Sequence, residues 1–196
     1  IECIDEIADM CGKKAEVAAI TEASMRGELT DFNQSLRQRL AILAGVDASV
    51  LSRILHERLQ LNNGAEKLIQ TAHQHGLKTL LVSGGFTFFT DALHTRLDLS
   101  YTRANTLEII NNTITGHVIG EIVNGDVKAR TVRDYCDGLN VPTSAAICMG
   151  DGANDLPMMA ISGLSVAYHA KPRVQEHADV AFNFMGLDGL IPLLDA

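Results

Sequence analysis

The stretch AAICMGDGANDLPMM, residues 145–159, runs an apolar segment straight into a glycine-rich loop with two carboxylates, Asp151 and Asp155, four positions apart. Two glycines so close together argue against a helix there, and the apolar lead-in is short enough to be a buried parallel strand. Three more segments share that compact apolar character: LKTLLVS (77–83), LSVAYH (164–169) and DVAFN (179–183). Helical spacing lies between them, around residues 66–75, 88–96, 129–138 and 156–161. Strands alternating with helices predict a doubly wound, Rossmann-like α/β core from residue 63 to 196. Within it, NTLEIINNTITGHVIGEIV reads as an antiparallel hairpin turning at Asn111-Asn112.

The first third of the chain has a different texture. Ile4, Ile7, Ala8 and Cys11, then Leu36, Leu40 and Leu43, recur at helical spacing, and DASVLSRIL (47–55) opens on two helix-starting residues, Asp47 and Ser49. This predicts a small helical domain over 10–62, entered through residues 1–9.

Composition narrows the partners. The chain has 196 residues, is 46% hydrophobic and carries a net charge of −8, which argues against nucleic acid or an anionic membrane as partner. Every long apolar run is interrupted by charge or glycine, so no membrane span is expected. The N-terminal IECIDEIADM lacks the features of a secretion signal. Cys3, Cys11, Cys136 and Cys148 fit neither a zinc spacing nor a disulfide framework, and a reduced, cytoplasmic setting is expected.

In an open parallel sheet, ligands gather beyond the carboxyl ends of the strands. Those positions hold Ser83-Gly84-Gly85 and Gly150-Asp151-Gly152-Ala153-Asn154-Asp155, and between them Lys128 sits at a predicted helix start. Each has an ordinary structural explanation, as a turn, a helix cap or a solvated lysine. Together they have a chemistry. A hydroxyl and free amides suit phosphate oxygens, and a lysine neutralises the same anion. Carboxylates beside a phosphate make sense only with a divalent cation between them. Mg²⁺ suits an all-oxygen site of few carboxylates plus phosphate, and Mn²⁺ is the alternative.

The order Ser-Gly-Gly, lysine, G-D-G-x-N-D resembles the second, third and fourth motifs of the haloacid dehalogenase (HAD) superfamily of phosphotransferases. ECIDEIA (2–8), MRGEL…F…SLRQRL (25–40), VSGGF (82–86), KART (128–131) and GDGANDLPM (150–158) together resemble its phosphoserine phosphatase branch. The resemblance implies a HAD core with a small helical cap. It implies Asp151 as a metal ligand, and Asp155 as the residue that orients Lys128 or supports the metal shell. Ser83, Gly84 and Asn154 would contact the phosphate, with Lys128 spanning phosphate and nucleophile. Lys171 is a rival lysine, placed at the surface by its edge position and Pro172. For a substrate such as O-phosphoserine, Glu2 would meet the ammonium and Arg39 the carboxylate, with Met25 and Phe32 closing over the ligand. The superfamily's first motif, D-x-D-S-T, carries the nucleophilic and acid/base aspartates. It is absent from these residues and is expected just before Ile1. Three alternatives stay open: a related enzyme acting on another small phosphomonoester, a phosphotransferase of the same fold, and a non-catalytic remnant. P-type ion pumps share GDGxND but need membrane spans.

Overall fold

The computed structural model describes residues 2–25 and 31–194, with the side chains of residues 24 and 25 outside the description. Its elements run α1 (Cys3–Met10), α2 (Lys14–Met25), α3 (Phe32–Ile42), α4 (Ser49–Glu57), α5 (Ala65–Gln74), β1 (Leu80–Phe86), α6 (Thr87–Leu97), β2 (Tyr101–Ile110) and β3 (Thr113–Ile119). They continue as α7 (Gly125–Gly138), β4 (Ile147–Gly150), α8 (Leu156–Met159), β5 (Leu164–Tyr168), α9 (Pro172–Gln175), β6 (Val180–Phe182) and α10 (Ile191–Leu194). The alternating helices and strands from α5 onward make this an α/β protein. No helix among the described residues is long and apolar enough to cross a membrane.

The chain forms two compact units. The first contains residues 1–60, 83–96 and 103–122. Its helices bury the faces that the periodicity marks: Ile4, Ile7 and Ala8 on α1, Leu36 and Leu40 on α3, Val50, Leu51 and Ile54 on α4. Phe86, Phe89, Leu107 and Ile114 join the same core. The β2–β3 hairpin turns at Asn111 and Asn112, both left-handed at φ 49° and 60°, as a tight two-residue hairpin turn demands. The loop after α3 adds itself to β3, because Gly45 donates to the Ile114 carbonyl and Ile114 returns a bond to Val46, at 2.9 and 2.8 Å. Arg58 fastens α1 from the other side, with one guanidinium nitrogen 2.7 Å from Glu6 and 2.6 Å from Asp9.

The second unit contains residues 61–82, 97–102 and 123–196. Its strands β4, β5 and β6 pair in parallel, in that order. The middle strand is buried along Ser165, Val166 and Ala167, as a strand covered on both faces must be. Ala129, Val132 and Cys136 of α7 pack with Cys148, Met158 and Val174.

Several strand boundaries differ from expectation, and β1 runs on to Phe86, so Ser83-Gly84-Gly85 lie inside the strand and not beyond its end. The first predicted strand begins three residues later, at Leu80, because Thr79 spends its backbone and hydroxyl on Ser100. The strand predicted from Ala145 begins at Ile147, after a short 3₁₀ turn over Thr143–Ala145. The single expected sheet is also divided. β1 is an edge of the order β1-β2-β3, and β4 is an edge of β4-β5-β6. Within the second unit, Leu80–Val82 and Ile147–Met149 both line one apolar cleft of ≈ 540 Å³.

At the start of β6, Asp179 accepts bonds from the Ser165 amide (2.8 Å) and hydroxyl (2.7 Å), and its own amide donates to that hydroxyl oxygen. The Ser165 bonds hold the Asp179 carboxyl below its ordinary value. A depressed carboxyl stabilises the fold fully above the unfolded value of about 3.9, and loses that effect as pH falls through its own. Asp179→Ala should therefore lower the urea midpoint at pH 7, and the gap from the parent should close as the pH falls below that range. A pH-independent gap would assign the loss to something other than the carboxylate.

Candidate functional site

The loop after β4 is organised by Asp155. A side chain at Gly150 would put its first carbon 2.3 Å from the Asp155 Cβ, so only glycine lets Asp155 fold back over the strand end. There Asp155 Oδ2 accepts from the amides of Asp151 and Gly152, both at 3.1 Å, and Oδ1 accepts from Lys128 Nζ at 2.7 Å. Both partners of that ion pair are 5% exposed. Lys128 reaches it from the first turn of α7, which Asn124 caps by accepting from the Val127 amide at 3.0 Å. Desolvated charges persist where each is paired and hydrogen-bonded, and Asp155 meets that condition with three donors.

The remaining residues of this loop are placed around the pair. Asp151 projects exposed from the loop, and Asn154 is half-buried with its Oδ1 lying over Gly152. Lys171 is exposed ahead of α9, and its backbone amide donates to the Asp151 carbonyl at 3.3 Å. Below the loop, burial pushes the Cys148 thiol up to about 11, so it stays neutral.

In the first unit, Ser83-Gly84-Gly85 lie in the last part of β1, which ends at Phe86 and runs into α6. The Gly85 amide donates to Ser83 Oγ at 3.0 Å. That hydroxyl accepts within its own segment, which leaves its proton to donate outward. A side chain at Gly85 would stand 3.1 Å from Ser83 Oγ and 3.3 Å from the Cys3 sulfur, so the start of α1 lies against this segment. Burial raises the Cys3 thiol. Glu2, the residue before α1, is exposed beside that contact.

Arg39 stands in the last turn of α3 and donates from Nε to the Ser35 carbonyl of its own helix at 3.4 Å. Phe32 opens α3, half-buried against the helical core. Met25 ends α2 with its side chain outside the described residues. Among the described residues no group of three or more His, Cys, Asp or Glu side chains is gathered to hold a metal. Sequence reasoning missed Asn105, 1% exposed on β2, whose Nδ2 donates to the Gly84 carbonyl at 2.8 Å. A polar residue at an inward position of a strand was the available signal.

The pattern of haloacid dehalogenase-like hydrolases matches residues 7–160, a span that contains the Ser83 segment, Lys128 and the 150–155 loop. This chain belongs to that family. It is 54% identical over 198 residues to the phosphoserine phosphatase of Polaromonas sp. (strain JS666), covering 99% of this chain and 84% of that relative. A probable phosphoserine phosphatase from Vibrio cholerae, solved without ligand, superposes with a TM-score of 0.90 at 45% identity, over 99% of this chain and 59% of that one. A phosphoserine phosphatase solved as a phospho-aspartyl intermediate analogue superposes with a TM-score of 0.90 at 32% identity, over 98% of this chain and 91% of that one.

The buried pair can be tested apart from activity. Lys128→Met leaves a buried carboxylate short of its counter-charge and should cost about 3–5 kcal/mol in urea unfolding. Adding Asp155→Asn, which keeps an acceptor for the loop amides, should recover part of that loss. Strictly additive losses would mean that the two groups are not coupled.

Proposed function

We propose that this chain serves a phosphoric monoester hydrolase activity that converts O-phosphoserine to serine and phosphate. The observation that carries the reading is the Lys128–Asp155 pair, buried and locked to the amides of the 150–155 loop, in a chain 54% identical over nearly its whole length to a phosphoserine phosphatase. In this reading residues 10–62 form the cap, and residues 63–196 with the entry segment 1–9 form the core.

A lysine fixed by a carboxylate on one side can present its remaining N–H groups to an anion on the other. Charge aimed in advance at a transferring phosphoryl group is the main source of catalysis in such sites. Ser83 Oγ and the Gly84 amide are proposed to hold phosphate oxygens, and Asn154 to contact the same group. The attacking carboxylate is proposed to come from an aspartate at the end of an apolar strand seated in the cleft between Leu80–Val82 and Ile147–Met149. Its oxygen would attack phosphorus as the bond to the serine oxygen breaks, a second aspartate would protonate that oxygen, and water would then release phosphate. The solved phospho-aspartyl analogue supports a covalent route.

The donor set fits a hard cation that takes most of its ligands from water and substrate. Asp151 offers an exposed carboxylate, whereas both oxygens of Asp155 are engaged. Asp151 is the proposed Mg²⁺ ligand, and when bound the ion would neutralise phosphate charge. Glu2 and Arg39 are proposed to read the ammonium and carboxylate of the amino acid, with Met25 and Phe32 beside them. A cytoplasmic enzyme completing serine biosynthesis is the setting that suits buried neutral thiols and this substrate.

The complete natural protein should hydrolyse O-phosphoserine with added Mg²⁺ and lose most activity on chelation or in Asp151→Asn. Undiminished turnover by Asp151→Asn would remove it from the metal site. Arg39→Ala tests the substrate. Losing a desolvated charge partner costs about 2–5 kcal/mol, roughly 30-fold to several thousand-fold in kcat/KM for phosphoserine. A generic aryl phosphate, without a carboxylate, should be nearly unaffected. Equal losses on both substrates would assign Arg39 to the fold.

A further inference from the structure

We propose that Asn105 is a positioning residue that sets the aim of the Ser83–Gly84 anion cradle. The proposal deepens the phosphatase reading and rests on it. Asparagine is disfavoured in strand interiors, and a buried amide is costly unless bonded. Yet Asn105 is 1% exposed in the middle of β2, on the same inward side as buried Leu107. Its Nδ2 donates across 21 positions of sequence to the Gly84 carbonyl, at 2.8 Å.

That carbonyl belongs to the peptide joining Gly84 to Gly85. The N–H at the other end of the same peptide is the one that donates to Ser83 Oγ, at 3.0 Å. A peptide unit is planar and rigid, so bonds at both ends fix how the whole plane is turned. Two consecutive glycines near the end of β1 would otherwise leave this part of the strand freer in its backbone than residues with side chains would. With the plane held, the backbone at Gly84 is fixed on its C-terminal side, and the Ser83 hydroxyl is oriented with its proton free to donate. Asn105 thus fixes the peptide on which the Ser83 hydroxyl's own bond depends, and so sets that donor's aim. Pre-setting donors is worth most where charge is transferred, because the reaction then needs no reorganisation.

The test uses the complete natural protein with O-phosphoserine as substrate and inorganic phosphate as a second, turnover-independent probe measured by calorimetry. Asn105→Asp keeps the shape but has no donor when ionised, and Asn105→Ala removes the group. Circular dichroism and thermal melting establish the folded fraction, and Asn105→Ser, which keeps a hydroxyl donor, replaces either variant that does not fold. The expected result is an about 10- to 100-fold loss in kcat/KM per folded molecule and weaker phosphate binding. For Asn105→Asp the ratio to the parent should rise as pH falls from 7.5 to 5, since the protonated carboxyl regains an O–H donor, while Asn105→Ala should show no such recovery. Folded variants with parental phosphate affinity and kcat/KM would overturn the proposal and leave Asn105 as a core residue. A parent that binds phosphate without hydrolysing phosphoserine would instead overturn the phosphatase reading, and the calorimetry would still decide Asn105.

Discussion

The second unit is arranged around the cost of keeping Lys128 and Asp155 away from water. A buried ammonium and a buried carboxylate are each unfavourable alone, so wherever one is placed the other must follow, together with donors for the carboxylate's remaining lone pairs. That requirement explains details that are otherwise unconnected. Gly150 is glycine because Asp155 must fold back over it. The loop amides of Asp151 and Gly152 face inward because Asp155 Oδ2 needs them. Asn124 caps α7 one turn before the lysine, which holds the helix start where Nζ reaches the pair. Asp151, left outside this arrangement, points to solvent and is free for other work.

In the first unit a glycine-rich segment is held by neutral groups instead. Ser83, the Gly84–Gly85 peptide and Asn105 form a chain of hydrogen bonds with no charged member. Neutral bonds are each worth only about 1 kcal/mol net, but their geometry is directional. If Ser83 and Gly84 hold an anion, as proposed, that direction matters more than strength.

Much of this was legible in the sequence because it is local. The period of apolar residues found the helices of the first unit, Asn111-Asn112 announced the hairpin, and Gly150 and Gly152 marked the loop where polar groups collect. Asp155 could be read as orienting Lys128 or as supporting a metal, and here its carboxylate is committed to the lysine and two amides. What the sequence hid is long-range. Nothing near Asn105 signals Gly84, and nothing near Arg58 signals Glu6 and Asp9, since those contacts depend on how elements meet. Strand starts slipped for a related reason: Thr79 has strand propensity but is bonded to Ser100, and Ala145 closes a 3₁₀ turn.

The apolar cleft between Leu80–Val82 and Ile147–Met149 has a consequence for handling the molecule. Each side is the border strand of its sheet. Border strands offer unsatisfied backbone donors and acceptors to any extended segment, and an apolar trough between two of them adds a hydrophobic reward. An exposed trough of this kind should favour binding of extended apolar peptides, and self-association at high protein concentration.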